Sequence, residues 1–371
     1  MSGVLAPIGI VSAPMALQFG LDLTAMTSRF TWLTGGILIG AALAVPLLQS
    51  VRLRQAMLGV YLLSAVALFT IGLPQSVAAV QLLLGLVGVA SGIGLAAAAS
   101  VISRSYADRA RASALVVTDG FFSIAGIVCA ALASYLVAHS LGWFWVYVFV
   151  GGVALLLVGL ASVSEFPEMT LEDVQANREQ GAWPWSAWCC LSALGLYTLA
   201  QSCILLWLPQ FAQQTFDMAE GTAGALIGRF WSGMFIGQML VAFAVMGLGV
   251  RTMLWLAVSG ALLGSVGIWL LGSKQWLGLI VLFWGLGNLG LLKLVISLAA
   301  ELTRTPSPRL LSSLLFGATA GTAMGPAVSS FIVAKGEVVS SLQFGSGLYL
   351  GVFLLIAIVL RSNKLAGVGV A

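Results

Sequence analysis

Residues 165–183, EFPEMTLEDVQANREQGAW, form the one long polar stretch in a chain that is otherwise strongly apolar. The stretch is rich in carboxylates, from Glu165 to Glu179, and contains a single basic residue, Arg178. Similar lengths of apolar sequence precede and follow it. A charged segment of this kind is typical of a soluble linker between two membrane-embedded halves, and its acidity needs no role beyond solubility.

The composition on either side of this linker is that of a membrane protein. Sixty per cent of the 371 residues are hydrophobic, 8% are charged, and the mean hydropathy is +1.07. Apolar runs of about 20 residues recur, each long enough to cross a hydrocarbon core of about 30 Å as a helix. The runs are continuously apolar rather than alternating, which excludes membrane β-strands. The predicted spans are 1–19, 30–49, 55–73, 78–103, 112–138, 142–164, 185–211, 219–247, 252–271, 276–302, 309–334 and 340–360.

We therefore predict an all-α integral membrane protein with twelve transmembrane helices in two pseudo-symmetric six-helix bundles. The first bundle covers residues 1–164 and the second covers 185–364. A cytoplasmic linker, 165–184, joins them, and 365–371 form a C-terminal tail.

The basic residues orient the bundle. If residue 1 starts in the cytoplasm, far more basic residues fall in the inner loops than in the outer ones. The inner set is Arg52, Arg54, Arg104, Arg109, Arg111, Arg178, Arg251, Arg304, Arg309, Arg361 and Lys364. The outer set is Arg29, Lys274 and Lys335. This bias predicts that both termini are cytoplasmic. The net charge of +4 follows from these loops and does not indicate a nucleic-acid partner.

Cysteine and histidine give no sign of a disulfide framework, a metal site or a cofactor. The four cysteines, Cys129, Cys189, Cys190 and Cys203, all lie within apolar spans. The single histidine, His139, is expected in a solvated loop at the outer end of the fifth span.

A weak internal repeat relates the fifth span of each half. SALVVTDGFFSIAG, from Ser113, aligns with SSLLFGATAGTAMG, from Ser312, at the first serine, at the leucine two places on and at the final glycine. Asp119 then falls opposite Ala318. The scaffold therefore does not require an acid at this position, which favours a functional role for Asp119.

An ordered set of short motifs resembles a known family. In chain order the motifs are Thr118-Asp119-Gly120-Phe121-Phe122-Ser123 with Ala125-Gly126, Trp145-Val146-Tyr147, Glu165-Phe166-Pro167, Tyr197 with Gln201, Trp207-Leu208-Pro209, Phe230-Trp231 and Pro306-Ser307-Pro308. The set resembles the TsgA-like branch of the major facilitator superfamily, which is related to the fucose permease group. The resemblance implies two halves that rock about a solute site near the bilayer midplane.

Three features depart from the family pattern. The signature between the second and third spans is reduced to Gln49–Arg54, which keeps the basic residues and loses the acid. The fourth-span glutamate of the fucose permease group is absent from Gly92–Ala97, so a proton site cannot be carried over there. Family members also have more sequence before the point that matches Met1. We therefore expect the first helix in a trimmed form of about 28 Å.

Three charged residues lie well inside the predicted spans: Asp119, Arg229 and Lys293. A charge in a membrane helix costs at least about 2.5–3.5 kcal/mol and usually faces a cavity or a partner. Asp119 is about 12 Å and Lys293 about 16 Å from the inner face. Our hypothesis is a cross-half ion pair that closes the inward side and is exchanged for substrate or proton. The alternatives are a static pair, an Asp119 held by Thr118 and Ser123, and an Asp119 that carries the proton itself.

Other polar and aromatic residues are candidates for substrate binding. Tyr197 and Gln201 are one helical turn apart, as are Trp284 and Asn288. The resemblance places their helices around the central cavity, and Arg229 is predicted in its outer part. Aromatic and amide groups together suit a hydroxylated or otherwise polar solute. In contrast, Gly88, Gly92 and Gly94 are expected to serve close helix packing.

The sequence thus predicts a monomeric secondary transporter in the lipid bilayer that moves a small polar or sugar-like solute together with protons. A drug or toxic-compound efflux transporter is the alternative, and a non-transporting membrane sensor is the alternative from another class. An enzyme is not expected, because the spans contain no HExxH motif, carboxylate pair or serine–histidine set.

Overall fold

The structure is a computed structural model. It describes residues 1–73, 76–105, 108–167, 183–288, 290–302 and 308–365. Every regular element in these residues is a helix. The helices are α1 (Ser2–Leu5), α2 (Ile8–Phe19), α3 (Leu23–Arg29), α4 (Thr31–Ser50), α5 (Leu53–Thr70), α6 (Val77–Ser105), α7 (Asp108–Ala138), α8 (Trp145–Val163), α9 (Trp185–Phe216), α10 (Glu220–Leu270), α11 (Leu277–Gly287), α12 (Leu291–Glu301), α13 (Pro308–Lys335) and α14 (Val338–Leu365). Most of the predicted linker, 168–182, and most of the predicted tail, 366–371, lie outside the described residues.

The predicted all-α membrane fold is confirmed. Within the described residues, 10 helices are long and apolar enough to cross a membrane, and they match the predicted third to twelfth spans. The predicted first and second spans correspond to Ile8–Phe19 and Leu23–Ala44, which pass the same test together and are bent by 115° at their junction. The chain is therefore a multi-pass membrane protein.

One long helix contains two spans. Helix α10 consists of a first arm, Glu220–Val245, and a second arm, Gly247–Leu270. The helical path is interrupted near the start of the second arm, at Gly249, whose φ of 75° and ψ of 159° are not helical. Only glycine adopts this conformation without strain, so Gly249 allows the chain to turn between the eighth and ninth spans.

Glycine also controls packing within the first half. A Cβ on Gly88 of α6 would collide with the carbonyl oxygen of Leu33, and one on Gly92 would collide with that of Ile37, both on α4. The two backbones can therefore approach only because side chains are absent. The predicted packing role of these glycines is confirmed. Gly94 faces a different helix, with its Cβ position 3.1 Å from Val60 of α5.

The halves meet along two sides. On one side, α7 packs against the first arm of α10; on the other, α3 and α4 pack against α13. The Thr34 hydroxyl donates to the carbonyl oxygen of Ala323 at 3.0 Å across the second side. The fifth helix of each half, α7 or α13, thus contacts the opposite half. The end of the bundle at which α8 ends and α9 begins is called the linker end below, and the other the opposite end.

Candidate functional site

The tenth span is broken in its middle. Helix α11 ends at Gly287 and α12 begins at Leu291, although the sequence predicts one continuous helix over 276–302. Gly290, just before α12, has a φ of 65°, in the left-handed region that favours glycine. A break at membrane depth exposes backbone groups that need partners, because lipid supplies none. The continuous helix is corrected to two short helices in one span.

Asn288 supplies the partners at this break. Its side-chain Nδ2 donates to the carbonyl oxygen of Trp284 at 2.6 Å, and its Oδ1 accepts from the hydroxyl of Tyr349 at 3.0 Å. Its carbonyl oxygen accepts from the backbone N–H of Leu291 at 2.7 Å. Asn288 is fully buried. The side-chain amide therefore joins α11 to α14, and the backbone carbonyl joins this pair to α12.

Aromatic side chains surround this amide. Trp284 is fully buried, with its ring centroid 4.4 Å from that of Phe230 and 6.3 Å from that of Tyr349. Tyr197 of α9 packs edge-on against Tyr349 at 6.2 Å. The predicted residues Tyr197, Trp284 and Asn288 thus converge on Tyr349. Because all three are buried, in this conformation they support the break and offer little surface to a solute.

Sequence reasoning missed Tyr349. The signal that could have found it is a tyrosine inside an apolar span, whose hydroxyl requires a buried partner.

Gln201 is the more accessible polar group of α9. It is partly exposed, one turn beyond Tyr197, and its Nε2 lies 3.9 Å from the sulfur of Met234 on α10. A thioether is a weak acceptor, so this contact leaves most of the hydrogen-bonding capacity of the Gln201 amide unused.

A hydrogen bond between the halves lies beside the break. The Ser123 hydroxyl of α7 donates to the Oε1 of Gln238 on the first arm of α10 at 2.9 Å. The Cγ of Gln238 lies 4.0 Å from the position that a Cβ would take on Gly290. The fifth, eighth and tenth spans therefore meet at Ser123, Gln238 and Gly290. Gln238 was also missed, although an amide deep in an apolar span is a recognisable signal.

Asp119 and Lys293 flank this meeting point. Asp119 lies in α7, one turn before Ser123, and its side chain is outside the described part of the structure. Its neighbour Gly120 faces α10, with its Cβ position 3.5 Å from Phe235. Lys293 is partly exposed in α12, three residues after Gly290. The Asp119–Lys293 pair stays a prediction.

Arg229 stands apart from the other candidates. Its side chain is exposed on α10, while the next residue, Phe230, points inward to Trp284. The guanidinium lies across Gly278 at the start of α11, with Nε 3.0 Å from the Cβ position of that glycine. The structure therefore does not bring Arg229 to the buried cluster around Tyr349.

Comparison with known proteins places this geometry in a family. The model for the Major Facilitator Superfamily matches residues 2–309. The chain is 29% identical to a Protein TsgA homolog of Serratia proteamaculans (strain 568) over 352 residues, 94% of this chain and 89% of that protein. It is 28% identical to a Protein TsgA homolog of Buchnera aphidicola subsp. Schizaphis graminum (strain Sg) over 359 residues, 96% and 92% of the two chains.

Two solved transporters show the same fold at low identity. A bacterial homolog of the human lysosomal transporter Spinster, in an inward-facing and occupied conformation, aligns with a TM-score of 0.71 at 15% identity, covering 98% of this chain and 94% of that one. The nucleoside transporter NupG aligns with a TM-score of 0.67 at 13% identity, covering 97% and 98%.

Proposed function

The chain belongs to the Major Facilitator Superfamily, and on this premise we propose that it is a proton-coupled secondary transporter of a small polar or sugar-like solute in the bacterial inner membrane. It is a member of a transporter family and not an enzyme. The observation that carries the proposal is the polar meeting point of Ser123, Gln238 and Gly290 between the halves.

Polar groups at this depth need a function that offsets their cost. An amide buried in a membrane span is expensive unless it faces a partner or a solute path. Gln201 and Gln238 are partly exposed amides on two helices of the second half, and Gln238 lies beside the break in the tenth span. Amides donate and accept hydrogen bonds, which suits hydroxyl and other uncharged polar groups. We assign direct solute recognition to Gln201. Tyr197, Trp284 and Asn288 contribute indirectly, because they support the break in the tenth span.

The aromatic residues favour this solute class over efflux of bulky apolar compounds. A drug-efflux transporter needs aromatic faces that are open to a wide cavity. Here Tyr197, Trp284 and Tyr349 are buried against one another. Their surface is already used in packing.

The contacts between the halves support alternating access. Along α7 and α10 they run from the opposite end, where the Cβ position of Gly221 lies 2.6 Å from the Cβ of Ala138, to Gly120 in the middle of the span. We propose that this is an inward-facing state, like that of the Spinster homolog. We also propose that both termini are cytoplasmic, because basic residues are more frequent in the inner loops. Transport then requires these contacts to separate while the linker end closes.

Asp119 and Lys293 are the proposed coupling residues. The Ser123 hydroxyl has one donor proton, and Gln238 already accepts it. Ser123 therefore cannot donate to Asp119 at the same time, which weakens the alternative that Asp119 is held locally. A cross-half pair with Lys293, broken by solute or proton, remains the proposed gate. Arg229 lies across Gly278, away from this cluster, and its place in the outer part of the cavity stays a prediction.

The test is transport by the purified full chain in proteoliposomes, with a panel of polar solutes and a pH-sensitive dye. Asp119→Asn and Lys293→Met are each expected to abolish solute-dependent proton movement. Gln201→Leu is expected to lower solute affinity more than tenfold, while Gln214→Leu, at an exposed position on the same helix, serves as the matched control.

Three outcomes would contradict the proposal. Unchanged transport in Asp119→Asn, in Lys293→Met and in the double variant would contradict the proposed gate. Solute transport without any pH change would remove proton coupling. If none of the solutes is transported, the alternative of a non-transporting membrane sensor is favoured.

A further inference from the structure

The outer surface of the first half contains a groove that the transport site does not use. It has a volume of about 380 Å³ and lies between α4 and α6, towards the opposite end. Its floor is formed by Gly35, Gly36 and Gly85, and Arg29 lies at its mouth. It is called the α4–α6 groove below. Its volume is in the range of sites that bind small molecules.

The rim of the groove indicates contact with lipid. Trp32 is 56% exposed, Ile39 is 55% exposed and Leu82 is 59% exposed. Apolar side chains at this depth in a membrane span face acyl chains. A soluble ligand would find no aqueous route across such a rim.

The polar end of the groove holds side chains that lack partners. Gln81 is buried, with 9% of its surface exposed, and makes no hydrogen bond to any residue the structure describes. The Thr31 hydroxyl is buried and likewise has no partner in the described part of the chain. Arg29 is exposed and forms no ion pair there. Native structures rarely leave buried polar groups unpaired without a reason.

We propose that the α4–α6 groove binds one anionic phospholipid from the leaflet at the opposite end of the bundle. The phosphate lies on the Arg29 guanidinium, an ester oxygen accepts from the Gln81 amide, and one acyl chain lies over Gly35, Gly36 and Gly85. Guanidinium is well suited to phosphate because it is always charged and donates in a planar fork.

The dimensions of the groove agree with one leaflet. From Arg29, the last residue of α3, through Phe30, which keeps helical dihedral angles, to Ile39 of α4 the chain advances about 15 Å. This is half of the roughly 30 Å hydrocarbon core. The Arg29 guanidinium lies at the end of the groove nearest the membrane surface, at the level of a lipid headgroup. The groove therefore matches a single lipid in register with its leaflet.

The second half shows why the groove is specific. The sequence offset that relates Gly36 to Gly233 also relates Trp32 to Arg229 and Gln81 to Gly278. There Arg229 lies across Gly278 and covers the equivalent surface. The first half instead has an indole at the rim and an amide that opens into the groove.

The experiment is lipid retention by the purified full chain. Protein in nanodiscs of phosphatidylglycerol and phosphatidylcholine with identical acyl chains is released and examined by native mass spectrometry. The wild-type protein is expected to retain phosphatidylglycerol about fivefold better, the effect of one basic residue at a lipid surface. Arg29→Gln is expected to abolish the preference while lipid of either headgroup is still retained.

Gly35→Leu tests the acyl-chain site. A Cβ on Gly35 would meet no described atom within 4 Å, so the side chain of a leucine enters the groove at its base without an initial clash. Gly59→Leu is the matched control, because Gly59 on α5 is exposed and equally free of neighbours among the described atoms. Only Gly35→Leu is expected to lose the retained lipid.

Three results would overturn the proposal. Equal retention in Gly35→Leu and Gly59→Leu would exclude the groove as the binding site. A headgroup preference that persists in Arg29→Gln would exclude Arg29 as the anion contact. Displacement of the lipid by inorganic phosphate would indicate a site for soluble anions. Transport is not measured, so the result is independent of the proposed function.

Discussion

The same helix pair is built twice in this protein. In the first half α4 packs against α6, and in the second the first arm of α10 packs against α11. A Cβ on Gly88 would collide with the carbonyl oxygen of Leu33, and one on Gly285 would collide with that of Phe230. One sequence offset relates both glycines and both carbonyls. This repeat in packing is stronger evidence of duplication than the match between SALVVTDGFFSIAG and its partner.

The two pairs differ in continuity and polarity. Helix α6 runs unbroken over Val77–Ser105, whereas its counterpart is divided between Gly287 and Leu291. By the same offset, Ser91 replaces Asn288, Ile93 replaces Gly290 and Ala96 replaces Lys293. The glycine contact is therefore the common scaffold, and the polar break was added to one copy or lost from the other.

The largest expected effect comes from the shared contact. Gly88→Ala and Gly285→Ala each place a methyl group against a rigid backbone carbonyl, so neighbouring helices must separate. We expect each to lower the free energy of unfolding by about 3 kcal/mol, the upper part of the range for overpacking. The measurement is thermal unfolding in mild detergent, with the yield of monodisperse protein. Gly59→Ala is the control, since its methyl group meets no described atom within 4 Å.

Different effects of Gly88→Ala and Gly285→Ala on stability would contradict an equivalent packing of the two helix pairs. A tolerated Gly285→Ala beside a disruptive Gly88→Ala would mean that the second pair is looser than the first.

The next effect belongs to the second half alone. Asn288→Leu leaves the buried Tyr349 hydroxyl without its acceptor, and a buried unsatisfied group costs about 1–3 kcal/mol. The Trp284 carbonyl loses the side-chain bond but still accepts from the backbone N–H of residue 288. Ser91→Ala, at the equivalent position of α6, is expected to be nearly neutral. Tyr349→Phe removes one of the two bonds and is expected to cost about 1 kcal/mol. The free energies of unfolding of the three variants show whether their losses of stability follow this order.

Transport assays on the same variants distinguish a residue that supports the break in the tenth span from one that binds the solute. If Asn288 acts through the break, Tyr349→Phe changes the transport rate and leaves solute affinity unchanged. A loss of affinity in Tyr349→Phe would instead place the solute at this cluster.

The sequence predicts spans better than it predicts their interior. Long apolar runs decide which segments cross the membrane, so the third to twelfth spans agree with the structure. The break was missed because Gly287, Asn288 and Gly290 sit in a run that stays apolar on both sides. Composition does not reveal the sign of φ at a glycine.

Depth can be counted along a helix, but direction cannot be assigned without its neighbours. The sequence predicts Arg229 in the outer part of the cavity, yet Phe230 takes the inward face and leaves Arg229 exposed. Tyr349 and Gln238 matter through partners that are distant in sequence, Asn288 and Ser123. Such pairs follow from helix packing, which a single sequence does not specify.

The smallest effect tests the break itself. Gly290→Ala introduces a side chain with room, since the nearest described atom is the Gln238 Cγ at 4.0 Å, so only backbone strain remains. A non-glycine residue in the left-handed region costs about 1–2 kcal/mol. Gly59→Ala, in a regular helix, is expected to stabilise by up to about 1 kcal/mol, because alanine favours helix more than glycine does. The two substitutions should therefore shift the unfolding temperature in opposite directions. A shift in the same direction would mean that the tenth span is a continuous helix like α6, and the contrast between the halves would then lie in Asn288 and Lys293 alone.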